Sequence, residues 1–200
     1  GGGKERWGTG RMRERKRGRG GEMRMRWDMG THAGTRCVMD AIRILKREFG
    51  DDVASIGKTM GPWSVGYHCF GVEKFLLLSV DDADRTMECL DRMQEVTIEF
   101  GKAQIEAGAD ALTLPDHATG DLVSGEYYKR FLQDMHTEFA EKFEVPIILH
   151  ICGRTVDRMG YIAQTGLAAF HYDSKNEPTE SMEAVNGGIS LVGNINNPET

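Results

Sequence analysis

The stretch Pro146-Ile147-Ile148-Leu149-His150-Ile151-Cys152-Gly153 is an apolar, β-branched run that ends in His-x-Cys-Gly. Runs of this kind are typical of buried strands, so we predict a strand here. Side chains along a strand alternate between its faces, so His150 and Cys152 point the same way, roughly 6 to 7 Å apart along the backbone. An imidazole and a thiolate on one face at a strand end can both bind a single Zn²⁺. The two residues are therefore candidate metal ligands.

Helices and strands are predicted to alternate on both sides of this stretch. Apolar spacing indicates strands at 53–57, 111–116, 146–152, 169–173 and 189–194. It indicates helices at about 36–49, 67–78, 79–107, 124–142, 156–164 and 178–185, and one more that opens at Asn197. We expect Gly61-Pro62-Trp63-Ser64 to form a loop, and Ser79 and Ser124 to cap the helices that follow them.

This alternation predicts an α/β fold built of βαβ units around a parallel sheet. Polar residues follow the predicted strands, namely Lys58, Asp116, His150 with Cys152, Asp173 and Asn194. A (β/α)₈ barrel, or TIM barrel, carries its chemistry at the carboxyl ends of several strands. A doubly wound sheet is the alternative, but no Gly-rich phosphate loop follows the first strand. We predict a partial barrel with five of the eight strands, because a whole barrel needs about 250 residues.

Charge is divided unevenly along the 200 residues, whose net charge is −6. Residues 1–30 hold ten Lys or Arg against four Asp or Glu, whereas residues 31–200 hold fifteen against twenty-seven. The first segment is rich in Gly and Arg and has no periodicity, so we expect it to be disordered. We assign residues 31–200 to the barrel domain, whose acidic balance gives no support for nucleic-acid binding. A binding module that acts through the basic arm is an alternative from another class.

The cysteines and the apolar runs indicate a cellular compartment. Cys37, Cys69, Cys89 and Cys152 have no regular spacing and do not indicate a disulfide framework. No apolar run approaches ~18 residues, so we expect no membrane span. The N-terminal residues lack the apolar core of a secretory signal. We expect a cytoplasmic protein.

Taken alone, His-x-Cys is a weak signal for a metal. Buried cysteines are common, and a histidine in a strand is more often a hydrogen-bonded core residue than a ligand. Its position at a strand end of a barrel-like pattern strengthens the zinc hypothesis.

Four segments resemble the methylcobamide:coenzyme M methyltransferases, within the uroporphyrinogen decarboxylase-like superfamily. Ile148-Leu149-His150-Ile151-Cys152-Gly153 is similar to the zinc motif of that family, and Gly61-Pro62-Trp63-Ser64 to its Gly-Pro-Phe-Thr loop. The stretches 107–124 and 191–200 resemble two further family segments, and the four occur in the family's order. The resemblance runs from about residue 36 to the end.

The resemblance implies a barrel enzyme of one-carbon metabolism, including methanogenesis. It implies that His150 and Cys152 bind Zn²⁺ together with a second cysteine near the last strand. The thiol of coenzyme M would then receive a methyl group from a methylcobamide carried by a partner corrinoid protein. Asp173 matches an acidic residue that serves as an interim ligand or orients the thiol, although a carboxylate that caps a loop is the alternative. Asp116 and Asn194 are candidates for substrate contact.

The sequence departs from the family in two places. No cysteine follows Cys152, so we expect the third zinc ligand to be absent from this chain and the chain to be a fragment with poor metal affinity of its own. The front of the barrel is also replaced by the Arg- and Gly-rich segment. The runner-up function is a porphyrinogen-type decarboxylase, which does not need zinc and uses an N-terminal motif of arginines and a carboxylate that is not recognisable here. A non-catalytic partial barrel is the further alternative.

Overall fold

A computed structural model describes residue 29 and residues 32–50 and 52–196. All but Met29 of the segment predicted to be disordered lies outside the described residues, as does the helix predicted to open at Asn197. The strands are β1 (Ile56–Lys58), β2 (Ala111–Pro115), β3 (Ile147–Ile151), β4 (Ala169–Tyr172) and β5 (Ser190–Val192). The helices are α1 (Ala33–Phe49), α2 (Pro62–Phe70), α3 (Val72–Asp81), α4 (Ala83–Glu106), α5 (Gly125–Phe131), α6 (Gln133–Lys142), α7 (Val156–Ile162) and α8 (Pro178–Val185).

The five strands form one parallel sheet in the order β1-β2-β3-β4-β5. A doubly wound sheet reverses its strand order at a switch point, whereas a barrel places each strand next to the one before it. The observed order has no reversal, and the described sheet is open at β1 and β5. The prediction of a partial barrel with five strands is therefore confirmed.

The core lies between the sheet and the helices that cover its outer face. In β3 the side chains of Ile147, Leu149 and Ile151 are buried, while those of Ile148 and His150 on the opposite face are partly accessible. The buried face packs against helices that contribute Leu90, Ile98, Phe131, Phe139, Met159 and Ile162. This alternation turns His150 away from the core and toward the inner face of the sheet.

Two predicted boundaries near β1 are wrong. The strand begins at Ile56 rather than at residue 53, and just before it the Ser55 N–H donates to the Asp110 side chain (2.7 Å). The segment predicted as a loop at 61–64 opens a helix, with Gly61 as its N-cap and Pro62 in its first turn. Proline is favoured at this position because its fixed φ suits a helix. It has no backbone N–H, and an N–H in the first turn would have no partner within the helix.

The helix ends also differ from the prediction. Ser79 lies inside α3 and donates to the Leu76 carbonyl (2.7 Å), whereas the Asp82 side chain caps α4 by accepting from the Arg85 N–H (3.0 Å). The signal was ambiguous because Ser and Asp are both favoured N-caps. The cap at Ser124 is confirmed. The apolar stretch predicted at 67–78 is divided between α2 and α3 at Gly71, and the helix predicted at 124–142 is divided at Leu132.

The α-helices of the described residues do not include one that has both the length and the apolar character needed to cross a membrane.

Candidate metal centre

His150 and Cys152 meet at the carboxyl end of β3. His150 Nε2 lies 3.0 Å from Cys152 Sγ, so the two predicted ligands point at the same small region. Tetrahedral zinc with bonds of about 2.0 Å to nitrogen and 2.3 Å to sulfur would hold the two donor atoms about 3.5 Å apart. The pair therefore needs to open by only about 0.5 Å to fit such an ion. A single imidazole and a single thiol at this separation suit zinc.

The backbone of β4 sets the orientation of the His150 ring. His150 Nδ1 lies 3.0 Å from the main-chain oxygen of His171, which can only accept a hydrogen bond. Nδ1 therefore carries the proton in the neutral ring, and the lone pair of Nε2 faces Cys152. Burial lowers the pKa of His150, which favours this neutral form. A second hydrogen bond of this kind is what fixes the tautomer of metal-binding histidines.

The surroundings of Cys152 favour the protonated thiol. Burial raises its pKa, and the nearby carboxylate of Asp173 raises it further, while Lys175 opposes both. The S–H can then donate to the lone pair of His150 Nε2. A divalent cation would reverse the balance, because coordination deprotonates a thiol outright.

Asp173 caps the loop that follows Cys152. Its Oδ2 accepts from the Gly153 N–H (2.9 Å), and its Oδ1 accepts from the Lys175 N–H (3.0 Å). The bond from Gly153 is the largest cause of the lowered pKa of Asp173. The structure thus presents the loop-capping arrangement that the sequence left open. The role of Asp173 as an interim ligand stays a prediction.

Asn194 lies beyond β5 at the same end of the sheet. Its Nδ2 donates to the main-chain oxygen of Asn176 (2.8 Å). It also lines a polar cavity of about 640 Å³ between the loops after β4 and β5, together with Ser174, Lys175, Asn176, Glu177, Pro178 and Asn196. Contact with substrate stays a prediction for this residue.

Asp116 does not face the cavity. Its side chain is fully buried, with Oδ1 accepting from the Ser64 N–H (2.7 Å) and Oδ2 lying 3.2 Å from His136 Nε2. His136 Nδ1 in turn lies 2.9 Å from the hydroxyl of Tyr128. These contacts tie the start of α2 to β2 and to α6. This buried position gives Asp116 no contact with a substrate, and its substrate-binding role stays a prediction.

Two buried polar residues of the structure, Asn176 and Arg158, were not predicted from the sequence. Asn176, in the loop after β4, hydrogen bonds to the loop after β3 through both atoms of its amide. Arg158, in α7, is fully buried, donates to the carbonyls of Ala118 and Val123, and pairs with Asp157 (2.9 Å). Their partners are mostly main-chain atoms, which leave no pattern in the sequence.

Across the described parts of the chain, His, Cys, Asp and Glu side chains form no group of three or more that could hold a metal ion. A complete zinc site at His150 and Cys152 would therefore need further ligands. The prediction that the third protein ligand is absent from this chain stays a prediction.

Comparisons with known proteins give relatives along most of the chain. Residues 23–200 match the family described as uroporphyrinogen decarboxylase (URO-D). The chain is 32% identical over 165 residues to the methylcobamide:CoM methyltransferase MtaA of Methanosarcina barkeri, covering 82% of this chain and 49% of that protein. It is 29% identical over 170 residues to the uroporphyrinogen decarboxylase of Christiangramia forsetii, covering 79% and 48% of the two chains.

A solved structure supports the same relationship. A methyltransferase from Methanosarcina mazei matches with a TM-score of 0.78 at 28% identity, over 83% of this chain and 50% of that one. The chain thus spans about half the length of the relatives that it matches. The resemblance found from the sequence motifs is confirmed.

Proposed function

This chain belongs to the uroporphyrinogen decarboxylase (URO-D) family, and from that premise we propose that its function is that of a methyltransferase. The methyl group would pass from a methylated corrinoid protein to a small thiol of the coenzyme M type, at a zinc ion held by His150 and Cys152. The names of the relatives in Methanosarcina, which are methylcobamide:CoM methyltransferases, support this reaction over others in the family.

The observation that carries the proposal is the contact between His150 Nε2 and Cys152 Sγ at 3.0 Å. The lone pair of Nε2 is turned toward the sulfur because the other ring nitrogen faces a carbonyl oxygen. Two donor atoms of the kinds that zinc prefers are thus directed at one point. A decarboxylase of the porphyrinogen type does not need zinc and therefore does not require this pair of ligands.

The residues of this chain bind and orient in the proposed reaction. Bound zinc would supply the positive charge that keeps an acceptor thiol deprotonated and therefore nucleophilic at neutral pH. His150 would bind the metal as the neutral imidazole, and Cys152 would bind it as the thiolate after losing its proton. Asp173 fixes the turn after Cys152, and its negative charge near the ligand sulfur favours a bound cation. Asn194, at the wall of the polar cavity, would contact the acceptor.

Methyl transfer from free methylcobalamin to coenzyme M in the presence of zinc tests the proposal. The loss of the methyl group from methylcobalamin is followed by absorbance. The chain is expected to bind zinc weakly, so zinc is supplied in excess. We then expect zinc-dependent turnover that is lost in Cys152→Ser and kept in Cys37→Ser, which changes an exposed cysteine of α1. The same preparation should not decarboxylate uroporphyrinogen. Equal rates for the two serine variants, or decarboxylation without zinc, would contradict the proposal.

A further inference from the structure

The loop after β4 holds the loop after β3 through one buried amide. The side chain of Asn176 accepts from the Thr155 N–H (2.7 Å) and donates to the Gly153 carbonyl (2.8 Å) and to the Asp173 carbonyl (3.0 Å). Its own main-chain oxygen accepts from the Asn194 side chain. With 3% of its surface exposed, Asn176 links the ends of β3, β4 and β5 from the inside.

These bonds fix the peptide groups directly after Cys152. The Gly153 N–H is held by the Asp173 carboxylate, and the Gly153 carbonyl by Nδ2 of Asn176. Two residues farther along, the Thr155 N–H is held by Oδ1 of Asn176. Cys152 lies just beyond Ile151, the last residue of β3, so the hydrogen bonds between strands do not hold it. The loop after β4 therefore sets the direction in which the Cys152 side chain leaves the backbone.

We infer that Asn176 is a positioning residue for the His150–Cys152 pair. The inference rests on the proposed function, since it takes the pair to be metal ligands. A primary amide is required at this position because one atom must accept from an N–H while the other donates to two carbonyls. The substitution Asn176→Asp keeps the size and shape of the side chain, but it sets a carboxylate oxygen against the two carbonyl oxygens.

The test compares Asn176→Asp and Asn176→Ala with Gln104→Ala. Gln104, in α4, is a matched control, since its buried amide also hydrogen bonds to main-chain groups. It accepts from the Lys58 N–H and donates to the Lys58 carbonyl (both 2.9 Å). Lys58 lies in β1, two strands away from β3. Zinc affinity is measured on the 200-residue chain by competition with a chromophoric chelator. In the metal-free chain, NMR measures the contact between the His150 ring protons and the Cys152 β protons.

We expect Asn176→Ala, which adds no charge, to lower zinc affinity at least tenfold more than Gln104→Ala, a range typical for groups that orient metal ligands. We also expect the His150–Cys152 contact to be lost in Asn176→Asp and kept in Gln104→Ala. Asn176 variants that match Gln104→Ala in both measurements would overturn the inference. Zinc affinity that is unchanged by Cys152→Ser would instead contradict the proposed zinc site. In that case the inference depends on the NMR contact alone. If the His150–Cys152 contact is retained in Asn176→Asp, the inference is overturned.

Discussion

Replacing Gly153 by alanine tests how tightly the loop after Cys152 is packed. Gly153 has a φ of +77°, and a Cβ added there would lie 2.2 Å from Thr119 Oγ1. An alanine at positive φ costs about 1 kcal/mol, and forcing extra volume into a packed site costs about 2 kcal/mol more. We therefore expect Gly153→Ala to lower the free energy of unfolding by about 3 kcal/mol, measured by urea denaturation at an unchanged slope.

Two further variants separate the contributions to that loss. Gly187 has a φ of +71° and no atom within 4 Å of an added Cβ, so Gly187→Ala should show the backbone strain alone, about 1 kcal/mol. Thr119→Ala removes the oxygen that clashes and leaves two milder contacts, with Thr119 Cβ at 3.4 Å and with Asp121 Oδ2 at 3.2 Å. The double variant Gly153→Ala with Thr119→Ala should regain about 2 kcal/mol, a coupling expected only for residues in contact. Equal losses for Gly153→Ala and Gly187→Ala, or no gain from Thr119→Ala, would refute the packing argument.

Three other changes probe the groups around the site. Asp116→Ala should lower the free energy of unfolding by about 3 kcal/mol, because it leaves buried donors of His136 and the α2 backbone unpaired. Asp116→Asn keeps an acceptor and should lower that free energy by less, with both variants measured by urea denaturation. Arg158→Met should cost about 3 kcal/mol and speed amide hydrogen exchange in the segment before α5, because two buried carbonyls lose their donor. Asp173 has a lowered pKa in the folded chain, so its contribution to stability is present above the unfolded pKa of about 3.9 and is lost as the pH falls through the folded value. Asp173→Asn should therefore flatten the loss of stability below pH about 4 in acid titrations.

Each of these three has an outcome that would count against it. Equal stability of Asp116→Ala and the wild-type chain would mean that the buried contacts of Asp116 contribute nothing. Unchanged exchange rates in Arg158→Met would show that other groups hold the segment before α5. An acid transition of Asp173→Asn with the wild-type slope would mean that the carboxylate gains nothing from the Gly153 N–H.

Sequence patterns were sufficient for the fold because the fold depends on local periodicity. The β-branched run at 146–152 and the amphipathic pattern of α4 each identify an element without reference to the rest of the chain. Alternation of such elements restricts the topology to a parallel sheet. His150 and Cys152 could be placed on one face for the same reason, since the period of a strand is two.

The contacts beyond the two ligands could not be predicted from these patterns. His150 lies within β3 opposite Pro115 of β2, whereas Asp116 is one residue beyond that pair and lies on the face that α2 buries. That packing depends on a helix start at Pro62, which was predicted to be a loop. Asn176 links two loops, and the main-chain oxygen of His171 in β4 contacts the His150 ring in β3. Such bonds follow from the three-dimensional arrangement alone.

X-ray absorption at the zinc edge of the metal-loaded chain tests the central claim most directly. If His150 and Cys152 bind zinc, the spectrum should contain one sulfur at about 2.3 Å together with nitrogen or oxygen at about 2.0 to 2.1 Å. The sulfur contribution should disappear in Cys152→Ser and remain in Cys37→Ser. A spectrum that contains only nitrogen and oxygen, and that is the same in both variants, would contradict the claim.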